Sequence, residues 1–133
     1  MEDRLILKKE QLALALLDFK KSLNIDINTL SDEIIDVVRS GQAQKFEFSM
    51  ELLWKTLKIF LDEVHGFQIG SPKAVIKKIY NLELINSADY ESLITLWNDR
   101  NLLSHIYKKE QFSQIHSRIV QSLPLLERVS SII

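Results

Sequence analysis

The sequence predicts an all-α protein, an antiparallel bundle of about five helices, and three observations carry that prediction. Apolar residues recur at spacings of three and four, as in Leu12, Leu16, Phe19 and Leu23 and again in Phe46, Met50, Leu53, Leu57, Phe60 and Val64, which sets them on one face of a helix. Only three glycines and two prolines occur in 133 residues, too few turn formers for a many-stranded sheet. Serine, proline and glycine stand where helices should start and stop. A chain of this length supports one core, so residues 1–133 are expected to form a single helical domain.

The first helix is expected over about residues 3 to 23, its stripe beginning at Leu5. "NIDINTL", residues 24 to 30, breaks the pattern and predicts a loop. Ser31 is a good N-cap, with Asp32 and Glu33 in the first turn where the helix dipole favours negative charge. The helix that it opens runs to about Val64, with Gly41 able to kink or divide it, and Gly66 closes it. Ser71-Pro72 predicts the next start, because proline at the first helical position gives up no needed donor. About ten residues follow, with Ala74, Val75, Ile76 and Ile79 available for burial. Ser87 is expected to cap a fourth helix, which turns Tyr90, Leu93 and Trp97 inward. A last helix from about Glu110 uses Phe112, Ile115, Ile119, Leu123 and Leu126, and Pro124 should bend it or end its first half.

Composition excludes several classes of function. Apolar residues make up 46% and charged residues 26%, a globular balance rather than a disordered one. The absence of cysteine removes disulfides, thiolate metal sites and a cysteine nucleophile, and fits a reducing, cytoplasmic setting. "MEDRLILKKEQ" has no apolar signal-peptide core, and no apolar run approaches the roughly 18 residues that span a bilayer. The formal net charge of −1 argues against coating nucleic acid by bulk electrostatics. Contact with RNA would have to be local, and the doublets Lys8–Lys9, Lys20–Lys21, Lys77–Lys78 and Lys108–Lys109 can supply it, although such doublets are usually solvated helix faces.

The densest chemistry lies in "DRNLLSHIYKKE", residues 99 to 110, where Arg100, Asn101, Ser104, His105 and Tyr107 fall within nine positions. A histidine acts as general acid or base near neutrality, and an arginine holds a phosphate through two oxygens while negative charge builds on it. On one straight helix Asn101 and His105 lie within roughly 40° of each other and Arg100 and Tyr107 nearly superpose, but Arg100 and His105 are roughly 140° apart. A kink would bring that pair together, and so would a two-fold axis that sets one copy of the motif beside another. Such a pair suits activation of an RNA 2′-hydroxyl against its own phosphate without a metal or a cofactor. His105 and His116 have no partners at metal-ligand spacing, so no metal site is expected. Alone, one histidine five residues after one arginine is more often a coincidence on a helix surface. On the second helix, Glu47, Glu51, Lys55 and Lys58 make a polar stripe that is either a solvated salt-bridged face or, through Glu47 or Glu51, the wall of a cleft opposite Arg100. Glu51 and Lys55 form a favourable i,i+4 pair worth a few tenths of a kcal/mol. Trp54 can be core or a stacking surface for a base.

Two stretches, "QKFEFSMELLWKTLKIFL" at residues 44 to 61 and "RNLLSHIY" at 100 to 107, resemble the HEPN superfamily. More narrowly they resemble the nucleotidyltransferase substrate-binding proteins, partners of minimal nucleotidyltransferases (MNT) in HEPN–MNT toxin–antitoxin pairs. "GSPKAVIKKIYNLELI" sits where that family has its short third helix. The resemblance implies a bundle that dimerises around the Arg-x4-His motif and, in many relatives, metal-independent endoribonuclease activity. It implies Arg100 and His105 as the catalytic positions with Asn101 beside them; Glu47, Glu51, Lys55, Ser104, Lys108 and Lys109 are the residues expected to flank the cleft. It also implies that Tyr107 corresponds to the tyrosine that some partner nucleotidyltransferases modify with AMP. Other relatives are nucleotide- or substrate-binding subunits. Two functions are therefore carried forward, an RNA-cleaving toxin subunit held in check by an MNT antitoxin and a non-enzymatic subunit that binds nucleotide or substrate for that partner.

Overall fold

In the computed structural model, which describes residues 2–105 and 108–133, every regular element is a helix. They are α1 (Glu2–Leu23), α2 (Asp32–His65), α3 (Pro72–Asn81), α4 (Ser87–Leu103), α5 (Lys109–Ile119) and α6 (Leu123–Ser130). The sixth helix comes from the segment expected to be one. Pro124 has no N–H to continue α5, so the chain turns at Val120–Ser122 and proline takes an early position in α6.

The organising element is α2, 34 residues long and therefore about 50 Å from end to end. Ser31 caps it, its hydroxyl accepting from the Ile34 N–H, and Gly66 ends it at φ 76°, a conformation that costs glycine nothing. Gly41 does not break it. The neighbouring Gln42 is buried and donates from Nε2 to the Ser22 carbonyl at 2.9 Å, which fixes the backbone at the weak point. Helix α1 runs antiparallel along α2: Arg4 pairs with Asp62 and Glu63 at one end, and Lys45 pairs with Asp18 toward the other. Helix α3 packs on α2 and α4, α5 on α2 and α4, and α6 returns to α1.

The stripes read from the sequence form the core. Leu12, Leu16, Phe19, Phe46, Met50, Leu53 and Leu57 join Val75, Ile76, Ile79, Leu93, Trp97, Ile115, Ile119 and Leu126 in one cluster. Four expected members fall outside it: Leu5, which is half-buried, Phe60, which is buried but apart from the cluster, Val64 and Ala74. Val64 is 58% exposed because it lies in the last turn of α2, and Ala74 is exposed on the outer face of α3. The cap of α4 is Asn86 rather than Ser87, one residue earlier, with Asn86 Oδ1 accepting from the Asp89 N–H at 2.8 Å. Glu83, at φ 61°, ends α3 in the left-handed conformation. The Leu84 N–H reaches the Ile79 carbonyl there and the Glu83 N–H reaches that of Tyr80, a pairing that returns the chain sharply into α4.

Candidate functional site

Arg100 stands in the last turn of α4 with its guanidinium 4.8 Å from the centre of the Trp97 ring. Trp97 is itself packed edge-on against Trp54 of α2, ring centres 6.5 Å apart, so the arginine lies against a wall of two indoles. Nη2 donates to Glu51 Oε2 at 2.8 Å, and the other oxygen of that carboxylate takes Lys55 Nζ at 3.1 Å. Among the described residues Nη1 makes only a long contact, 3.4 Å, to Asn101 Oδ1. Nε is buried with no acceptor among the described residues, a cost that the stacking and the ion pair offset. The spacing of Glu51 and Lys55 and the arginine after Trp97 thus produce a string, Lys55–Glu51–Arg100, that ties α2 to α4.

The two carboxylates near Arg100 are held differently. Burial pushes Glu51 up, but Lys55, the neighbouring Trp54 indole and Arg100 outweigh it and leave its carboxyl below the usual range. Glu47, one turn earlier, is raised because burial exceeds the pull of Arg100. One carboxylate therefore serves as a firm anion that orients the guanidinium, and the other is a weaker acid beside it.

Helix α4 ends at Leu103, which overturns the straight-helix geometry expected for residues 100 to 107. The Ser104 hydroxyl donates to the Asn101 carbonyl at 3.0 Å, and the His105 N–H donates to the Leu102 carbonyl at 2.9 Å. These bonds close the helix end and leave Ser104 and His105 in an exposed turn. The roughly 140° separation of Arg100 and His105 therefore does not apply, because the histidine has left the helix that carries the arginine. Lys108 precedes α5, and Lys109 opens it with an exposed contact to Asp36 at 3.6 Å. Tyr107, and with it the expected superposition on Arg100, lies outside the described residues.

The structure thus brings Arg100, Asn101, Glu47, Glu51 and Lys55 together, with Ser104 at the adjoining helix end. Lys109 it directs toward Asp36 on α2. Asp99 is a neighbour that the sequence reading passed over. It is 3% exposed, and both its oxygens accept from Arg118 of α5, at 2.7 and 2.8 Å. A signal existed, since Asp99 follows Leu96 by three on the buried face of α4, where a carboxylate must find a partner. That pair spans the two helices flanking the turn with His105, so α4 and α5 are pinned on either side of it. A second buried polar link passes from His116 Nε2 to Gln42 Oε1 at 2.7 Å. Among the described residues no three His, Asp or Glu side chains converge as a metal site, and no helix is long and apolar enough to cross a membrane.

The fold and this cluster define an all-helical protein with an arginine held by a carboxylate at the open end of its fourth helix. The chain belongs to the family described as nucleotidyltransferase substrate binding protein like, whose profile matches residues 7–131. It is similar to a crystal structure of a protein from Thermus thermophilus, at 27% identity and a TM-score of 0.77, over 89% of this chain and 94% of that one. No curated protein matches the chain.

Proposed function

We propose that this chain is a HEPN-type toxin subunit that cleaves RNA without a metal, through a cleft shared by two copies, and that a minimal nucleotidyltransferase controls it. The observation that carries the reading is Arg100 itself, a stacked and ion-paired guanidinium five residues before a histidine in a solvent-exposed turn. Arginine preset in this way loses little freedom on taking a phosphate. The single HEPN-like domain of residues 1–133 supplies the rest of the site.

In the proposed reaction His105 takes the proton of an RNA 2′-hydroxyl. The oxygen then attacks the adjacent phosphorus, the bond to the 5′-oxygen breaks, and a proton returns to that leaving oxygen. The products are a 2′,3′-cyclic phosphate and a 5′-hydroxyl. Arg100 neutralises charge on the phosphoryl oxygens as the new bond forms, presenting Nη1, which among the described residues makes only the long contact to Asn101. Glu51, itself paired with Lys55, holds the guanidinium, Asn101 and Ser104 border it, and Lys108 and Lys109 are proposed to offer charge to the strand as it approaches. A second copy meeting the first across a two-fold axis adds a second arginine and histidine, one histidine acting as base and the other as acid. Tyr107 is the proposed site of AMP addition by the partner, where an added negative charge within the same motif would silence cleavage.

A second reading is favoured by the family description, which speaks of substrate binding. In it the same arginine holds a nucleotide or other substrate for a nucleotidyltransferase, and nothing is cleaved. Substitution separates the two. If the chain is a nuclease, His105→Ala leaves RNA binding in place and lowers cleavage by about 10²–10⁴. If it is a binding subunit, wild type and His105→Ala are equally inert toward RNA while Arg100→Ala loses the ligand.

A further inference from the structure

A groove between α1 and α2 encloses about 720 Å³ and adjoins the Arg100 cluster through Glu51 and Lys55. Its floor is Ala15 and Leu52, and its sides present Leu14, Leu17 and Phe48, side chains that project into solvent rather than into the core. Phe48 is 61% exposed, a large aromatic surface left uncovered. Lys8 lines one end of the groove and Lys21 the other, with Lys55 on the α2 side. Lys8 and Lys21 are thirteen residues apart on one helix, hence about 20 Å.

The charge balance of the groove is cationic. Its two carboxylates are both engaged by cations, Asp18 by Lys45 and Glu51 by Arg100 and Lys55. Among the described residues no carboxylate lies within ion-pairing distance of Lys8 or Lys21. The cleft between α4 and the α5–α6 corner differs in this respect. Its Arg118 and Arg128 are neutralised by Asp99 and Asp89, and Glu91 adds a further negative charge. Of the two clefts, only the α1–α2 groove joins an exposed aromatic face to unneutralised lysines.

We propose that this groove binds a single-stranded RNA segment, a base stacking on Phe48 and phosphates spaced along the strand meeting Lys21 at one end and Lys8 at the other. A flat apolar body linked to evenly spaced negative charges is what the lining complements. One phosphate cannot meet two lysines about 20 Å apart, so the separation of Lys8 and Lys21 favours a strand over a free mononucleotide. Glu51 belongs to the groove through one face and to Arg100 through Oε2, so a strand lying in the groove ends beside the arginine. The proposal deepens the nuclease reading and rests on it, naming where the substrate strand lies outside the reacting phosphate.

Binding is measured with the full-length protein and a fluorescein-labelled 2′-O-methyl octauridylate, whose blocked 2′-oxygens prevent cleavage. Phe48→Ala is expected to weaken binding roughly 5- to 150-fold, the loss of one stacked base. Lys8→Gln and Lys21→Gln should each reduce the slope of log affinity against log salt by about 0.7, one phosphate contact on a single strand. Unlabelled UMP should compete poorly. UMP competing as well as the strand would overturn the strand and leave a mononucleotide site. Wild-type affinity and salt slope in all three variants would overturn the groove altogether, and a changed oligomeric state in Phe48→Ala with unaltered RNA binding would mark it as a protein contact. Cleavage of unmodified RNA is scored separately. Groove-dependent binding without cleavage removes the nuclease reading alone, and His105-dependent cleavage with groove-independent binding removes only this proposal.

Discussion

Arg100 is shared between a carboxylate, which orients it, and an indole, which takes one face of its guanidinium. Its neighbour Asp99 does structural service on the other side of α4. Removing Arg118 would strand a carboxylate that is 3% exposed, so Arg118→Met is expected to destabilise the fold by about 3 kcal/mol, read from urea unfolding. Arg118→Lys should lose part of that, since an ammonium cannot span both oxygens. His116 makes a pH-dependent contribution. Burial, and then the charge of Arg39, lower its pKa below the ordinary 6.5. Gln42 spends its amide N–H on Ser22, so its oxygen accepts from the Nε2–H of a neutral ring. Because the folded value is depressed, the unfolded chain binds the proton first as pH falls. Stability is therefore expected to be level above about pH 6.5 and to drop below it until the folded value is passed. His116→Phe should remove that part of the slope when unfolding midpoints are compared across pH 5 to 8.

At the scale of the helix, the caps make the sharpest separable contributions. Asn86→Ala should cost about 1 kcal/mol, because it strips the acceptor from the Asp89 N–H, whereas Ser87→Ala should change stability by a few tenths at most. Thermal unfolding of the two variants measures the difference. Sequence alone placed that cap one residue late, since both side chains are good caps and only the backbone path decides. The long stripes of α1 and α2 were legible for a plain reason: a helix packed on one side must repeat its apolar residues every three or four positions. The end of α4 was not. No glycine or proline follows Leu103, and the stop is made by the Ser104 hydroxyl and the His105 N–H folding back on the last turn. The site was legible as residue types, Arg100, Glu51 and Lys55 among them. The pairing of Asp99 with Arg118 depends on how α4 meets α5, and no spacing within either helix encodes it.

At the scale of the whole molecule, α2 carries Glu51 to Arg100 and, together with Phe48, to the α1 groove, so one helix links both surfaces proposed to meet RNA. Two copies of the chain are expected to associate through the segment around residues 97 to 107. Light scattering at micromolar concentration should give twice the chain mass of 15.5 kDa, and a monomer would remove the shared cleft. If Arg100 and His105 cleave RNA by attack of its own 2′-hydroxyl, as proposed, the chemistry of the cut end reveals it. Labelled RNA is incubated with the protein in excess EDTA, and the 3′ ends of the 5′ fragments are identified by mass spectrometry. The expected products carry 2′,3′-cyclic phosphate ends, formed at undiminished rate in EDTA and lost in both Arg100→Ala and His105→Ala. Intact RNA after prolonged incubation with a folded dimer, or cleavage that stops on chelation, would contradict the proposal.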